Sequence, residues 1–272
     1  MTAEGNLVLA TVEAGVCTLT LSNPERRNAW SVAMEERYFA LLDEADADPE
    51  VRAIVVTGAG TTFCPGLDTQ RLSVASRAGV IDLSGRRPQT YPLGIRKPMV
   101  AAINGACAGI GLMQALHCDV RFAARGAKFT TAYARRGLPA EYGSSWWLPR
   151  LIGLENALDL LLSGRVVEAD EAKALGLVSR VVEPDRVLPE AEAYARDLAE
   201  HCSPRSMAAI RRQVYGDLSR TFGESMVHTL ALMHELAGNP DFAEGVASFV
   251  EKRPAAFAGL DPSFHVYGDR GY

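Results

Sequence analysis

Three runs of strand-forming residues, Arg52–Thr57, Met99–Ile103 and Asp119–Ala124, each give way to glycine or other small residues and then to a stretch with helical spacing. This recurrence constrains the fold more than any other feature of the chain. A strand followed by a helix and a further strand favours parallel pairing, because the helix supplies the crossover that parallel strands need. The expected fold class is therefore α/β. Ahead of the repeat, Asn6–Val12 and Gly15–Leu21 read as a hairpin joined at Glu13-Ala14-Gly15. Ser31 is then placed to cap a helix whose first turn carries Glu35 and Glu36, where acids complement the dipole. Its apolar stripe is Met34, Tyr38, Leu41, Leu42 and Ala45, and it is expected to end near Asp48-Pro49.

The pattern weakens between Thr69 and Pro98, where Arg71, Arg77, Arg86 and Arg87 are mixed with serine and glycine, and a short helix with a mobile loop is expected. From Pro204 the strand signal disappears and three helical stretches follow, Arg205–Arg220, Phe222–Ala237 and Pro240–Lys252. The expected division is a core of residues 1–203 and a helical C-terminal subdomain of residues 204–272. The stripe Phe222, Met226, Leu230 and Met233 fits either an oligomer interface or packing within its own domain.

The 272 residues suffice for one well-buried domain with a smaller appendage. With 28 basic against 33 acidic side chains, a formal charge of −5 and only short basic pairs at Arg135-Arg136 and Arg211-Arg212, no nucleic-acid partner is expected. No apolar run approaches the roughly 18 residues of a membrane span, and Met1–Gly5 supplies no basic region of an export signal, so no membrane partner and a cytoplasmic location are expected. Cys17, Cys64, Cys107, Cys118 and Cys202 are odd in number and form no Cys-x-x-Cys pair, which fits core or loop thiols in a reducing compartment. His117, His201, His228, His234 and His265 lack metal-ligand spacing, so no metal is expected. Gly58-Ala59-Gly60 follows a strand, but Phe63 stands where a dinucleotide fingerprint has its third glycine, and the phosphate-loop, serine-hydrolase and zincin signatures are missing.

Two segments place small residues where backbone amides can be offered to a ligand, Phe63-Cys64-Pro65-Gly66-Leu67-Asp68 and Asn104-Gly105-Ala106-Cys107-Ala108-Gly109-Ile110-Gly111. The second leads into the helical run Leu112–His117, which puts the amides around Ile110 at a helix N-terminus, where unpaired N–H groups favour negative charge. Taken singly, either segment is also a plain strand-to-helix connection.

Together with other segments in a fixed order, they resemble the crotonase, or enoyl-CoA hydratase/isomerase, superfamily. The resemblance runs through Asn23-Pro24-x-x-Arg27-Asn28-Ala29, the Phe63–Asp68 turn, Lys97–Gly105, Asp119-Val120-Arg121 and Ala127-Lys128-Phe129. It continues in Leu148–Gly153, Ala172-x-x-x-Gly176-Leu177-Val178 and Phe249–Pro254. It implies a spiral of β-β-α turns with a helical tail, assembled as a homotrimer or homohexamer, that acts on acyl-CoA thioesters. No permanently bound cofactor is implied, coenzyme A being part of the substrate. By motif position the thioester oxygen falls between the backbone N–H groups of Leu67 and Ile110, where fixed donors stabilise an enolate without reorganising. Ile110 replaces a commonly seen glycine and narrows the pocket. The resemblance also implies CoA contacts from Arg27 at the phosphates, from the backbone near Leu67 and Asp68 at the adenine, and from Lys252; Ala29 and Phe249 belong to the same motifs.

The acid/base groups depart from the family pattern. The two glutamates of well-studied hydratases fall on Met113 and Tyr133 here. Glu141 instead matches the place where certain isomerases and a dehalogenase of the superfamily carry their carboxylate, in a loop ahead of a helix that Ser144 is expected to cap. Tyr142, Trp146 and Trp147 are available to desolvate Glu141 and raise its pKa. Met113, Trp146 and Trp147 are the expected acyl-pocket residues, and Tyr133 a hydrogen-bond donor. One carboxylate suffices to carry a proton from the α- to the γ-carbon of an enoyl thioester, and can also activate one water for hydration. The expected function is proton transfer or hydration on an enoyl-CoA. The alternatives are an acyl-CoA-binding or scaffold protein without catalysis, or a thioester hydrolase or dehalogenase using Glu141 as nucleophile.

Overall fold

The computed structural model describes residues 7–80 and 83–266. The first six residues, two positions of the expected mobile loop and the last six of the expected C-terminal subdomain lie outside the described residues. β1 (Val8–Glu13) and β2 (Val16–Leu21) form the expected hairpin, with Val8 opposite Leu21 and Glu13 opposite Val16. Its two-residue turn, Ala14-Gly15, has positive φ at both positions, the geometry whose twist matches that of the flanking strands. α1 (Val32–Ala47) begins where Ser31 Oγ accepts from Met34 N at 3.1 Å, and it buries the whole predicted stripe. Glu35 lies in the first turn as expected, and it is only 2% exposed because Trp30 and Arg86 close over it.

Three β-β-α turns follow. They are β3 (Ala53–Gly58), β4 (Thr62–Cys64) and α2 (Thr69–Ala78); β5 (Met99–Ile103), β6 (Ala106–Ala108) and α3 (Ile110–Leu116); and β7 (Val120–Ala124), β8 (Lys128–Thr130) and α4 (Ser144–Ile152). After these come α5 (Leu154–Ser163), β9 (Val167–Glu168), α6 (Ala169–Leu175), β10 (Arg180–Val182) and α7 (Val187–His201). The first strand of each turn enters a six-stranded sheet in the order β1-β2-β3-β5-β7-β10, parallel apart from the hairpin. The second enters a four-stranded sheet in the order β4-β6-β8-β9, parallel apart from the last pair. This is the α/β class that the repeat implies and the spiral of β-β-α turns that the resemblance implies.

Buried parallel strands need cover on both faces. One face of the six-stranded sheet contributes Leu19, Ile54, Val56 and Ile103 to the main core with Phe63, Met113 and Leu148. The other packs on α7, whose Val187, Ala191, Ala195 and Ala199 recur every four residues and let the helix lie close.

The segment expected as a mobile loop is tied to α1 instead. Arg86 pairs with Glu35, Arg87 and Tyr91 both meet Asp43, and Arg96 binds Asp46 at 2.7 Å. Periodicity carries no trace of such ties, since each is made by a charged side chain to a helix distant in sequence.

The tail forms α8 (Pro204–Asp217), α9 (Phe222–Ala237) and α10 (Pro240–Glu251). Arg211 anchors α8 to the spiral: Nε lies 2.9 Å from both Asp119 oxygens, and the guanidinium also donates to the carbonyls of Pro92, Leu93 and Ile95. Ala208, Ala209, Leu232 and Leu260 form a small separate core. The α9 stripe Phe222, Met226, Leu230 and Met233 is exposed in the single chain.

Candidate active site

The two glycine turns come together because their strands are neighbours. Cys64 stands opposite Cys107 in the β4–β6 pair, and three residues on from each lie Leu67 and Ile110. Gly66 and Gly109 take φ of 112° and 52°, conformations that favour glycine, and a Cβ placed on Gly109 would sit 4.0 Å from Gly66 Cα. Leu67 is held by a parallel bridge to Trp30, in which Trp30 N donates to Gly66 O at 2.8 Å and Trp30 O accepts from Asp68 N at 3.1 Å. The bridge uses the groups on either side of Leu67 and leaves its own N–H aside. Ile110 is the first residue of α3, so its N–H has no acceptor within the helix.

Both turns line a cavity of about 40 Å³, with Leu67 and Ile110 joined by Thr131, Ala132, Tyr133, Arg136, Leu138 and Glu141. Ala132 stands three residues beyond Phe129, which is opposite Cys107 in the next strand pair, and it takes a left-handed φ of 57°. That turn aims Tyr133 at the cavity. Its hydroxyl is buried without a hydrogen bond of normal geometry, beside the equally unpartnered hydroxyl of Ser144. Burial, with the Glu141 charge adding to it, pushes the phenol pKa well up, so Tyr133 remains a donor.

Glu141 reaches the cavity from the loop between β8 and α4. Tyr142 and Gly143 are both left-handed, with φ of 50° and 83°, and the Glu141 carbonyl accepts from Ser144 N at 2.9 Å. The expected Ser144 cap is corrected: Gly143 holds the cap position, its carbonyl takes the Trp146 and Trp147 amides, and Ser144 is the first helical residue with its hydroxyl turned inward. Among the described residues the Glu141 carboxylate has neither an ion pair nor a hydrogen bond. It is half-buried, and burial raises its pKa above the ordinary value.

The remaining predicted residues are spread more widely. Met113 is fully buried in the main core behind Ile110. Trp147 lines a separate apolar cavity of about 430 Å³ with Tyr215, Met207 and Val214, and Trp146 lies edge-on to Trp147 under the Arg150 guanidinium. None of the three lines the Glu141 cavity. Arg27, Phe249 and Lys252 are exposed, Ala29 is half-buried, and neither Arg27 nor Lys252 makes an ion pair among the described residues. Asp68 is engaged within the fold, its carboxylate by Arg26 and Gln70 N, its N–H by Trp30 and its carbonyl by Leu72 N. Sequence reasoning missed Leu72, Thr131, Ala132, Arg136 and Leu138 as cavity residues. Only register, counted from Phe129, singles out Ala132. No three His, Cys, Asp or Glu residues converge as metal ligands among the described residues.

Two free amides facing one unpaired carboxylate and one phenol can hold a developing oxyanion while a proton moves nearby. A family model described as enoyl-CoA hydratase/isomerase matches residues 11–260. The chain belongs to the enoyl-CoA hydratase/isomerase family. It is similar to 1,2-epoxyphenylacetyl-CoA isomerase of Escherichia coli K12, at 33% identity over 93% of this chain and 98% of that one. The crystal structure of an enoyl-CoA hydratase from Mycobacterium marinum is 49% identical over 79% of this chain and all of that one, with a TM-score of 0.68. An enoyl-CoA hydratase structure from Polaromonas is 32% identical, covers 92% and 99%, and superposes with a TM-score of 0.85. The chain is thus an enzyme of the hydratase/isomerase family with the crotonase fold. No helix among the described residues is long and apolar enough to cross a membrane.

Proposed function

We propose that this enzyme binds an enoyl-CoA thioester with its carbonyl oxygen between the Leu67 and Ile110 amides, and that Glu141 moves a proton between the α- and γ-carbons. The observation that carries the reading is the Glu141 carboxylate itself, unpaired, half-buried and in the same small cavity as both amides. Removing the α-proton puts charge on the thioester oxygen, and donors fixed by β4, β6 and α3 stabilise it without reorganising. Burial brings Glu141 closer to the pKa at which one group both takes and returns a proton. Tyr133 donates a hydrogen bond within the cavity. Arg27, Ala29, Asp68, Phe249 and Lys252 are proposed to contact CoA, Asp68 through its backbone. The exposed stripe of α9 is proposed to close a homotrimer or a pair of trimers.

The test is mass spectrometry of 2-enoyl- and 3-enoyl-CoA thioesters incubated with the enzyme in heavy water, with Glu141→Gln beside it. Deuterium uptake with double-bond migration that depends on Glu141 supports proton transfer, and addition of water identifies hydration instead. Thioesters unchanged across the panel refute the reading.

A further inference from the structure

We infer that the buried Glu35 carboxylate is the positioning residue that holds both amide donors in register, acting through Trp30 on Leu67 and through Gln89 and Gln114 on Ile110. The inference rests on the reading above that these amides receive a thioester oxygen. Glu35 Oε2 accepts from the Trp30 indole at 3.0 Å and from Gln89 Nε2 at 2.5 Å, while Arg86 donates to both carboxylate oxygens. Trp30 is the residue whose backbone brackets Leu67. Gln89 in turn accepts from Gln114 Nε2, through its carbonyl at 3.2 Å and its side chain at 3.3 Å. Gln114 lies one helical turn beyond Ile110 on α3. A single carboxylate therefore connects to the residue that brackets one donor and, through Gln89 and Gln114, to the helix that carries the other.

Stability does not account for this arrangement. A buried ion pair gains little over an apolar replacement, and this one leaves Arg86 Nη1 and Gln114 Oε1 buried without partners, each at a cost. What it supplies is geometry. Charge-assisted bonds to one anion tie the Trp30–Glu35 segment to the Arg86–Gln89 segment, the Gln89–Gln114 bonds extend the tie to α3, and a displacement of about 1 Å costs about 100-fold in rate.

The experiment uses the full chain and a four-carbon 2-enoyl-CoA labelled with ¹³C at the thioester carbonyl. Isotope-edited infrared spectra of the bound thioester, recorded in a Glu141→Gln background to prevent turnover, report how strongly the two donors polarise the carbonyl. Glu35→Gln and, as a milder cut that keeps the ion pair, Gln114→Leu are added to that background and separately to the wild-type enzyme for kinetics. The expected result is a carbonyl band displaced less to low frequency, with kcat lower by about 10- to 100-fold, below the roughly 100- to 1000-fold cost of losing a donor outright, and KM within about 2-fold. Folded variants that keep the wild-type band overturn the inference even if kcat falls, because a merely structural role moves stability and not carbonyl polarisation. An unshifted band with Glu35 and Gln114 intact overturns the oxyanion reading and this inference with it.

Discussion

Replacing Gly111 by alanine is expected to leave the fold standing and to disable the site. A Cβ on Gly111 would lie 2.3 Å from the carbonyl oxygen of Cys64 and 2.7 Å from its Cβ. Favourable contact begins near 3.5 Å, so α3 must draw back from β4 by about 1 Å. Gly111 follows Ile110, and Cys64 precedes Leu67 by three residues, so this retreat widens the gap between the two amides. Overpacking of this kind costs about 1–3 kcal/mol. At about 2.1 cal/mol/K per residue over 272 residues, that lowers Tm by roughly 2–5 °C. A 1 Å misplacement costs about 100-fold in rate, or about 2.7 kcal/mol of barrier. The assay is kcat on the enoyl-CoA panel beside a thermal melt, with Gly94→Ala as control, since a Cβ at Gly94 meets nothing within 4 Å. Wild-type kcat in a folded Gly111→Ala enzyme, or an equal loss in Gly94→Ala, refutes the reasoning.

Glu141→Gln is expected to lower kcat by about 10²- to 10⁴-fold and to abolish the acid limb of the pH–rate profile. The same change should stabilise the protein at pH 7. Burial raises the Glu141 pKa in the folded state, so the ionised group weighs against folding in full above that raised pKa, and the advantage of glutamine fades as pH falls through it and is gone below the unfolded value of about 4.3; melts across pH in which the advantage does not fade speak against an uncompensated carboxylate. Arg211→Met leaves Asp119 and three carbonyls without their buried donor, so a loss of about 3–5 kcal/mol and a Tm drop of roughly 5–9 °C are expected by calorimetry. Arg27→Ala and Lys252→Ala should each raise KM for the thioester with little change in kcat, the effect shrinking with added salt; a loss confined to kcat would contradict a CoA-binding role.

The parallel α/β layout was legible because its strands are buried on both faces and so appear as continuous apolar runs, as Arg52–Thr57 and Met99–Ile103 do, whereas the spiral came with the resemblance, since β4, β6 and β8 are too short to show a pattern. The two glycine turns were legible as segments that offer backbone amides, the choice of Leu67 and Ile110 within them came with the resemblance, and the structure brings both turns to one cavity. Motif membership misleads where a residue serves the turn and not the ligand. Asn28 and Asn104 belong to the quoted segments, yet their side chains cap carbonyls of the β3–β4 turn, Ala59 and Thr62 for one, Gly58 and Gly60 for the other. Met113, Trp146 and Trp147 were expected at the acyl pocket, and Trp147 lines the larger apolar cavity beside Tyr215 while none of the three lines the Glu141 cavity, a placement that helix phase decides and residue size does not. Glu35 was read as a helix-dipole acid because its partner Arg86 is 51 residues away, beyond any local pattern.

Leu67 and Ile110 each stand three residues beyond the Cys64–Cys107 pair of adjacent parallel strands, whose general spacing is about 4.8 Å. An oxygen accepting from two nitrogens so spaced, each about 2.9 Å away, sees them at an angle of about 110°. That is close to the angle between the in-plane lone pairs of a single carbonyl oxygen. On the proposed reading, the fold's own period acts as a gauge for one oxygen atom, and loop changes around Glu141 can alter which proton moves without resetting it.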